Sequence, residues 1–329
     1  MEFTQEVQKA TDPIYQKISK VMPEIEWSVH APYIHKINKL KKEKNAVILA
    51  HNYQTPEIYH GVADFSADSL ALAIEASKTS ADIILMAGVH FMAETAKLMS
   101  PDKKVILPDM DAGCSLSSSV TGKDVRLLKE KYPGVPVVTY INTSADVKAE
   151  SDICCTSANA VKAVESLGVD RVIFLPDQYM AKYVASKTKV KIISWKGTCI
   201  VHEKFSAKEI NDIKKQNPEI LILSHPECPP DVISASDFTG STTGMINYVS
   251  KNQPKKVMMV TECSMSDNVE VENPNVQFIK PCNLCPYMKT ITLPKILDCL
   301  ENESNEILIP DNVITKARAA VERMAAIGR

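Results

Sequence analysis

The chain has no excess of either charge sign, no long apolar run and no second CxxC motif in its 329 residues. Lys and Arg number 38 against 40 Asp and Glu, a net charge of −2. That balance gives no electrostatic case for nucleic acid or an anionic membrane as partner. Apolar runs reach only about strand length, so no membrane-spanning helix is expected. The opening residues MEFTQEVQKA include acids and lack an apolar core, so no signal peptide is expected either. Nine cysteines without a secretion signal point to a reducing cytosol and to thiolate chemistry over a disulfide framework. What is present is ordinary for a globular protein: 45% hydrophobic, 24% charged, and long enough for two or three domains.

Against that background a period stands out. Cys114, Cys199 and Cys285 lie 85 and 86 residues apart. Upstream of each, an Asp is followed five residues later by a hydroxyl: Asp64 to Ser69, Asp152 to Ser157, Asp237 to Thr242. Hydroxyl and cysteine are separated by 45, 42 and 43 residues. Further upstream an apolar run ends in a polar pair spaced i, i+2: His51 and Tyr53, Tyr140 and Asn142, His225 and Glu227. Four landmarks recur three times. The period is too long for a solenoid unit and suits a small α/β domain.

The periodicity predicts a helical segment over 1–45 with a packing role, then α/β repeats over 46–134, 135–217 and 218–300, and a helical tail over 301–329. Strands are expected at 46–50, 82–87, 104–107, 136–141, 171–175, 190–195, 219–224, 255–260 and 276–279, with helices between them. Buried strands alternating with helices imply parallel sheets with helices outside. The fold class is therefore α/β: three similar three-layer domains with parallel sheets. Ligands of such sheets bind off the strand carboxyl ends, where the polar pairs and cysteines fall. Set around a pseudo-threefold axis, the modules would bring these residues to one central cavity.

Most free cysteines are small buried hydrophobes, which is the reading for Cys154, Cys155, Cys228, Cys263 and Cys299. Cys114, Cys199 and Cys285 follow polar or Gly-containing loops at matching positions. Three thiolates would hold zinc, or a [4Fe–4S] cluster with one open iron; spacing alone does not separate these. Within Cys282-Asn-Leu-Cys285, Cys285 fits the repeat better. Ser69, Ser157 and Thr242 read as helix caps, positions that also present backbone N–H groups to carboxylates and phosphates. The polar pairs supply candidate acids and bases.

The runs Ala50-His51-Asn52-Tyr53, Gly88 through Lys97, Tyr140 through Ser144, Gly197 through His202, His225-Pro226-Glu227 and Cys285 through Met288 closely resemble quinolinate synthases, the iron–sulfur enzymes of bacterial and archaeal NAD biosynthesis. The match spans roughly residues 45 to 300. It implies three α/β domains around a pseudo-threefold axis. It implies condensation of iminoaspartate with dihydroxyacetone phosphate to quinolinate, with loss of phosphate and water. By position, Cys114, Cys199 and Cys285 would bind a [4Fe–4S] cluster whose open iron acts as a Lewis acid. Substrate binding would fall on His51, Ser69, Tyr140, Ile141, Asn142, Ser157, His225, Pro226, Glu227 and Thr242. Tyr53 matches the family's proton-transfer tyrosine and Glu227 its acid–base carboxylate, with His51 beside them. A functional link to the iminoaspartate-producing enzyme and a monomeric or homodimeric state go with the resemblance.

Two features depart from the family. Some members carry CxxCxxC before the final Pro, whereas this chain has only Cys282 and Cys285, so a redox switch built on the extra pair is not expected. The stretch Thr261 through Asn268 also lacks the Gly of many members and is a candidate lid or phosphate-end segment. Two alternatives are another three-cysteine iron–sulfur enzyme and, from another class, a sensor or carrier. A radical iron–sulfur enzyme of the diphthamide type would need an S-adenosylmethionine pocket, which the His51, Tyr140 and His225 pairs do not suggest. An iron–sulfur sensor or carrier usually closes its cluster with four cysteines.

Overall fold

A computed structural model describes residues 1–280 and 282–328. Twelve strands among them form three four-stranded sheets. The first holds β1 (Ala46–His51), β2 (Phe65–Ala67), β3 (Ile83–Ala87) and β4 (Lys104–Ile106). The second holds β5 (Val137–Tyr140), β6 (Ile153–Cys155), β7 (Arg171–Leu175) and β8 (Lys191–Ser194). In the third are β9 (Ile220–Ser224), β10 (Phe238–Thr239), β11 (Lys256–Val260) and β12 (Gln277–Ile279). Each sheet is parallel and has the same order, with its first strand between the second and third and the fourth at the far edge. The expected strands are all present. The edge strands β2, β6 and β10 carried no sequence signal, because two or three residues are too few to show a period.

The recurring Asp explains how those short edges hold their register. Asp64 donates its backbone N–H to Ile48 O at 2.9 Å and accepts the Ile48 N–H on its carboxylate, also at 2.9 Å. Asp152 does the same with Val137 (2.9 and 2.7 Å), and Asp237 with Ile222 (2.8 and 2.8 Å). One residue thus clamps each edge strand to the central strand, three residues before the polar pair begins.

Helices repeat as faithfully. Short helices Pro56–Tyr59, Ala145–Ala149 and Pro230–Ala235 each start five residues after the first member of a polar pair. Helices Gly122–Lys131, Ala207–Gln216 and Leu293–Asn302 each start eight residues after a repeat cysteine. Their N-caps Thr121, Ser206 and Thr292 accept the N–H of the residue three further on. These helices do not pack on the sheet that precedes them. Val125 joins the core of the second sheet, Ile210 that of the third, and Leu293, Ile296, Leu297 and Leu300 that of the first. The last of the three therefore returns to the beginning, crossing residue 300, where the sequence placed the end of the third repeat.

The N-terminal segment is two helices, Gln5–Ile18 and Glu24–Glu43. Trp27, Ala31, Ile34 and Ile37 form a buried stripe on the second, which packs on Leu293–Asn302 and β1. The tail helix Asp311–Ile327 lies where expected and packs on helices Ala145–Ala149 and His90–Met99 and on β6, bridging the first two sheets.

Replacing a clamp should leave a strand N–H unpaired. Asp152→Ala is expected to cost about 1–3 kcal/mol in urea unfolding. Asp64→Ala should cost more, because buried Lys41 bonds Asp64 at 2.8 Å and would lose its counter-charge. Equal losses would refute the added role of Lys41.

Candidate active site

All three polar pairs leave the carboxyl ends of the central strands β1, β5 and β9, and the three cysteines leave those of the edge strands β4, β8 and β12. Their side chains meet in one cavity of about 710 Å³, its solvent-open part included. His51, Tyr53, Ser69, Tyr140, Ile141, Asn142, Ser157, His225, Glu227, Thr242, Cys114, Cys199 and Cys285 all line it. Pro226 is buried beside the wall without lining it.

The i, i+2 spacing of the pairs has a local cause. His51 Nδ1 accepts the N–H of Tyr53 at 3.2 Å, and His225 Nδ1 accepts that of Glu227 at 3.4 Å. Each ring is thereby set with its proton on Nε2. Burial pushes the His51 imidazole down to about 4 and that of His225 to about 3, so both are neutral Nε2–H donors at neutral pH. His225 Nε2 lies 3.1 Å from Ser157 Oγ, and Asn52 Nδ2 donates to Thr242 Oγ1 at 2.9 Å. Each hydroxyl accepts one bond from a neighbouring module and keeps its own O–H to offer to the cavity.

Glu227 is the charged centre. Tyr140 Oη donates to its Oε1 at 2.5 Å, and His202 Nδ1 lies 2.9 Å from Oε2. Burial opposes its charge; the imidazoles of His225 and His202 and the bonds from His202 and Tyr140 outweigh that and hold the carboxyl well below the ordinary range. Since His225 is itself neutral, we assign the ionised state chiefly to the two hydrogen bonds. The chain continues from His202 Nε2 to Thr261 Oγ1 at 3.0 Å, and from there to Tyr53 Oη at 2.7 Å. With Tyr53 donating to Thr261, Thr261 to His202 and His202 to Glu227, every donor points toward the carboxylate. Burial, with the nearby Glu227 charge, raises both tyrosines well above their usual value, so they remain protonated.

The cysteines share a setting. Each is followed by a single 3₁₀ turn, Ser117–Ser119, His202–Lys204 and Met288–Thr290, and each carbonyl accepts the N–H four residues on, at 3.0, 3.0 and 3.1 Å. Burial pushes the Cys114 thiol up to about 12 and also raises those of Cys199 and Cys285. In all three, the backbone N–H groups two and three residues further on oppose that rise. Gly197 lets the Cys199 loop pass the Pro176 carbonyl; a Cβ there would meet it at 2.6 Å.

Several expectations change. Ser69 and Thr242 are the first residues of their helices and not the caps, which are Asp68 and Ser241. Ser157 lies in a turn before the helix Ala160–Ser166, whose cap position is Asn159. The hydroxyls are therefore free for the cavity. The stretch Thr261 through Asn268, with the helix Cys263–Glu272 that it opens, braces the site. Buried Glu262 pairs with Lys289 at 3.0 Å and accepts the Cys285 N–H at 3.3 Å; Lys289 bonds the Tyr53 carbonyl at 2.7 Å. Asn268 bonds the carbonyls of Asn52 and Gln54 at 3.3 and 2.8 Å. His202 and Thr261, which link the two ends of the proton chain, were not singled out from sequence. They occur in one module each, so a search for recurring positions passes over them.

Comparison with known proteins gives the family. Residues 35–326 match the family model described as Quinolinate synthetase A protein. A quinolinate synthase of Sinorhizobium fredii is 59% identical over 322 residues, covering 98% of this chain and 90% of the relative. One from Caulobacter vibrioides is 55% identical over 326 residues, covering 98% and 89%. Quinolinate synthase 1 of Mesorhizobium japonicum is 58% identical over 311 residues, covering 94% and 96%. An α/β enzyme with one cavity at converging strand ends is the class that fold and site define. The chain belongs to the quinolinate synthetase A family. No helix among the described residues is long and apolar enough to cross a membrane.

Neutral buried histidines make stability depend on pH. His51 and His60 both titrate at about 4 because burial disfavours their charge, against about 6.5 in the unfolded chain. The unfolded state therefore binds more protons between about pH 6.5 and 4.5, and stability falls as pH drops through that window. The slope is roughly 1.4 kcal/mol per unit for each histidine. Urea unfolding at pH 7 and pH 5 checks this; equal stabilities would refute it.

Proposed function

We propose that this chain is a quinolinate synthase, condensing iminoaspartate with dihydroxyacetone phosphate and releasing phosphate and water. The observation that carries the reading is the continuous chain Tyr53–Thr261–His202–Glu227–Tyr140, whose members other than Thr261 line the same cavity as three thiols. The Nε2–H group of His51 and the O–H groups of Ser69, Thr242 and Ser157, the last oriented by His225, suit the two carboxylates of iminoaspartate, since neutral donors bind anions without a buried counter-charge. Asn142 and Ile141 would complete the wall on the second module.

Proton movement follows from the orientation of the donors. When Tyr53 Oη takes a proton from a substrate carbon, its own proton passes to Thr261, the Thr261 proton to His202, and that of His202 Nδ1 to Glu227. The low proton affinity of Glu227 means that it does not retain the proton. It hands it to a substrate atom in the cavity, such as a departing oxygen. The buried position of the relay keeps bulk water from competing.

The thiols fit a [4Fe–4S] cluster better than a single ion. One tetrahedral zinc would draw its sulfurs to about 3.8 Å from one another, and Cys114, Cys199 and Cys285 do not form a group within 4.8 Å. Cys199, His202 and Glu227 do lie within that distance, but His202 and Glu227 already bond each other and the relay. Paired backbone N–H groups at each sulfur favour the thiolate form that a metal would need. Bound there, the cluster would supply an open iron as a Lewis acid for a substrate hydroxyl. We place the chain in the cytoplasm, working after an iminoaspartate-producing enzyme, as a monomer or homodimer.

Anaerobic assay of quinolinate formation by iron-loaded protein tests the reading directly; a clean absence of product overturns it. Cys114→Ala, Cys199→Ala and Cys285→Ala should each abolish the cluster, and full iron and sulfide content in any one removes that ligand. Tyr53→Phe should lower kcat by about 10²–10⁴-fold with the cluster retained. Thr261→Val, which cuts the relay between two intact ends, should lower kcat within the same range at nearly constant KM. Unchanged kcat in both variants would refute the relay.

A further inference from the structure

The proposed chemistry leaves Cys263 and Cys282 unused, yet their sulfurs lie 3.2 Å apart. Sequence alone paired Cys282 with Cys285 in the CxxC; the fold pairs it instead with a cysteine 19 residues earlier. The two differ in access. Cys282 is exposed, while Cys263 is buried as the first residue of the helix Cys263–Glu272. Around them the same two segments are already joined by polar bonds. The Cys263 N–H donates to Asn283 O at 3.1 Å, and the Cys285 N–H reaches Glu262 Oε1 at 3.3 Å. Residues 282–285 thus form a strap that lies along the start of the brace helix and ends at a cavity cysteine.

We propose that Cys263 and Cys282 are a thiol–disulfide exchange site whose substrate is a low-molecular-weight disulfide, and that its oxidation fastens the Cys285 strap to the brace helix. Exposed Cys282 reacts first. Its thiolate attacks one sulfur of the small disulfide, forming a mixed disulfide and releasing one thiolate. Cys263 then gives up its proton to solvent and attacks Cys282 Sγ, releasing the second small thiolate. Two protein thiols are oxidised and one disulfide is reduced to two thiols, so electrons balance. Closing from 3.2 Å to a bond of about 2.05 Å moves each sulfur by little more than half an ångström, which leaves the neighbouring bonds of the strap in place. An excess of small thiol reverses both steps.

The test uses the full chain, prepared anaerobically, in a series of glutathione buffers from reduced to oxidised. Free thiols are alkylated, and peptides are mapped by mass without reductant. The expected product is a Cys263–Cys282 linked peptide that grows with oxidation, vanishes with dithiothreitol and is absent from Cys282→Ser. Amide exchange over residues 283–285 should slow by at least about tenfold in the oxidised form, and Cys263→Ser should abolish that change. A stable glutathione adduct on Cys282 with Cys263 free, or a Cys282–Cys285 link, would overturn the site. A linked peptide with unchanged amide exchange would overturn the fastening role. Only the naming of Cys285 as a metal ligand rests on the proposed function; neither readout requires iron or turnover, so the two readings fail separately.

Discussion

A buried carboxylate governs this structure. Glu227 stands at the end of β9 with almost no access to water, and such a charge is tolerable only where hydrogen bonds replace its hydration. Both direct bonds cross from the second module to the third. Tyr140 comes from the second sheet, and His202 from the loop after Cys199. Tyr53, of the first sheet, enters through Thr261 of the third. The chain of bonds that ends at this one charge thereby links all three sheets at their carboxyl ends. The same bonds that stabilise the charge also form the path along which a proton can travel.

Around that centre two kinds of residue divide the work. Repeated residues build the frame: the clamping aspartates, the caps Thr121, Ser206 and Thr292, and the 3₁₀ turn after each cysteine. Unrepeated residues specialise it. The first polar-pair position holds His in the first and third modules and Tyr in the second, and only the turn after Cys199 carries an imidazole that faces the cavity. The brace residues Glu262, Lys289 and Asn268 belong to the second kind. They tie the Tyr53 loop and the Cys285 strap to one helix, so a cavity tyrosine and a cavity thiol share one support.

Legibility in the sequence follows the same division. The central strands were readable because each is a run of buried apolar residues, as in Ala46-Val-Ile-Leu-Ala50. The polar pairs and cysteines were readable because their spacing recurs. Edge strands were not, since Phe65–Ala67 and Phe238–Thr239 owe their place to one aspartate and not to any pattern of their own. Ser157 was read as a cap because Ser, three residues before a helix, has the chemistry of one; its turn instead leaves the hydroxyl to His225. Thr261 and His202 matter through contacts between residues 59 positions apart, and no local window reports such a pairing.

Each post-cysteine helix covers the sheet that follows it, and the last one covers the first. An open array of repeats would end in two exposed faces, each needing a cap, and could gain or lose a unit. Here the array has no ends. Removing any repeat would strip a helix from one neighbour and leave another helix without its sheet. Three is therefore a fixed number for this architecture, and unfolding cannot begin by peeling a terminal unit. It has to uncover a neighbouring sheet, and with it the cavity lined from all three modules.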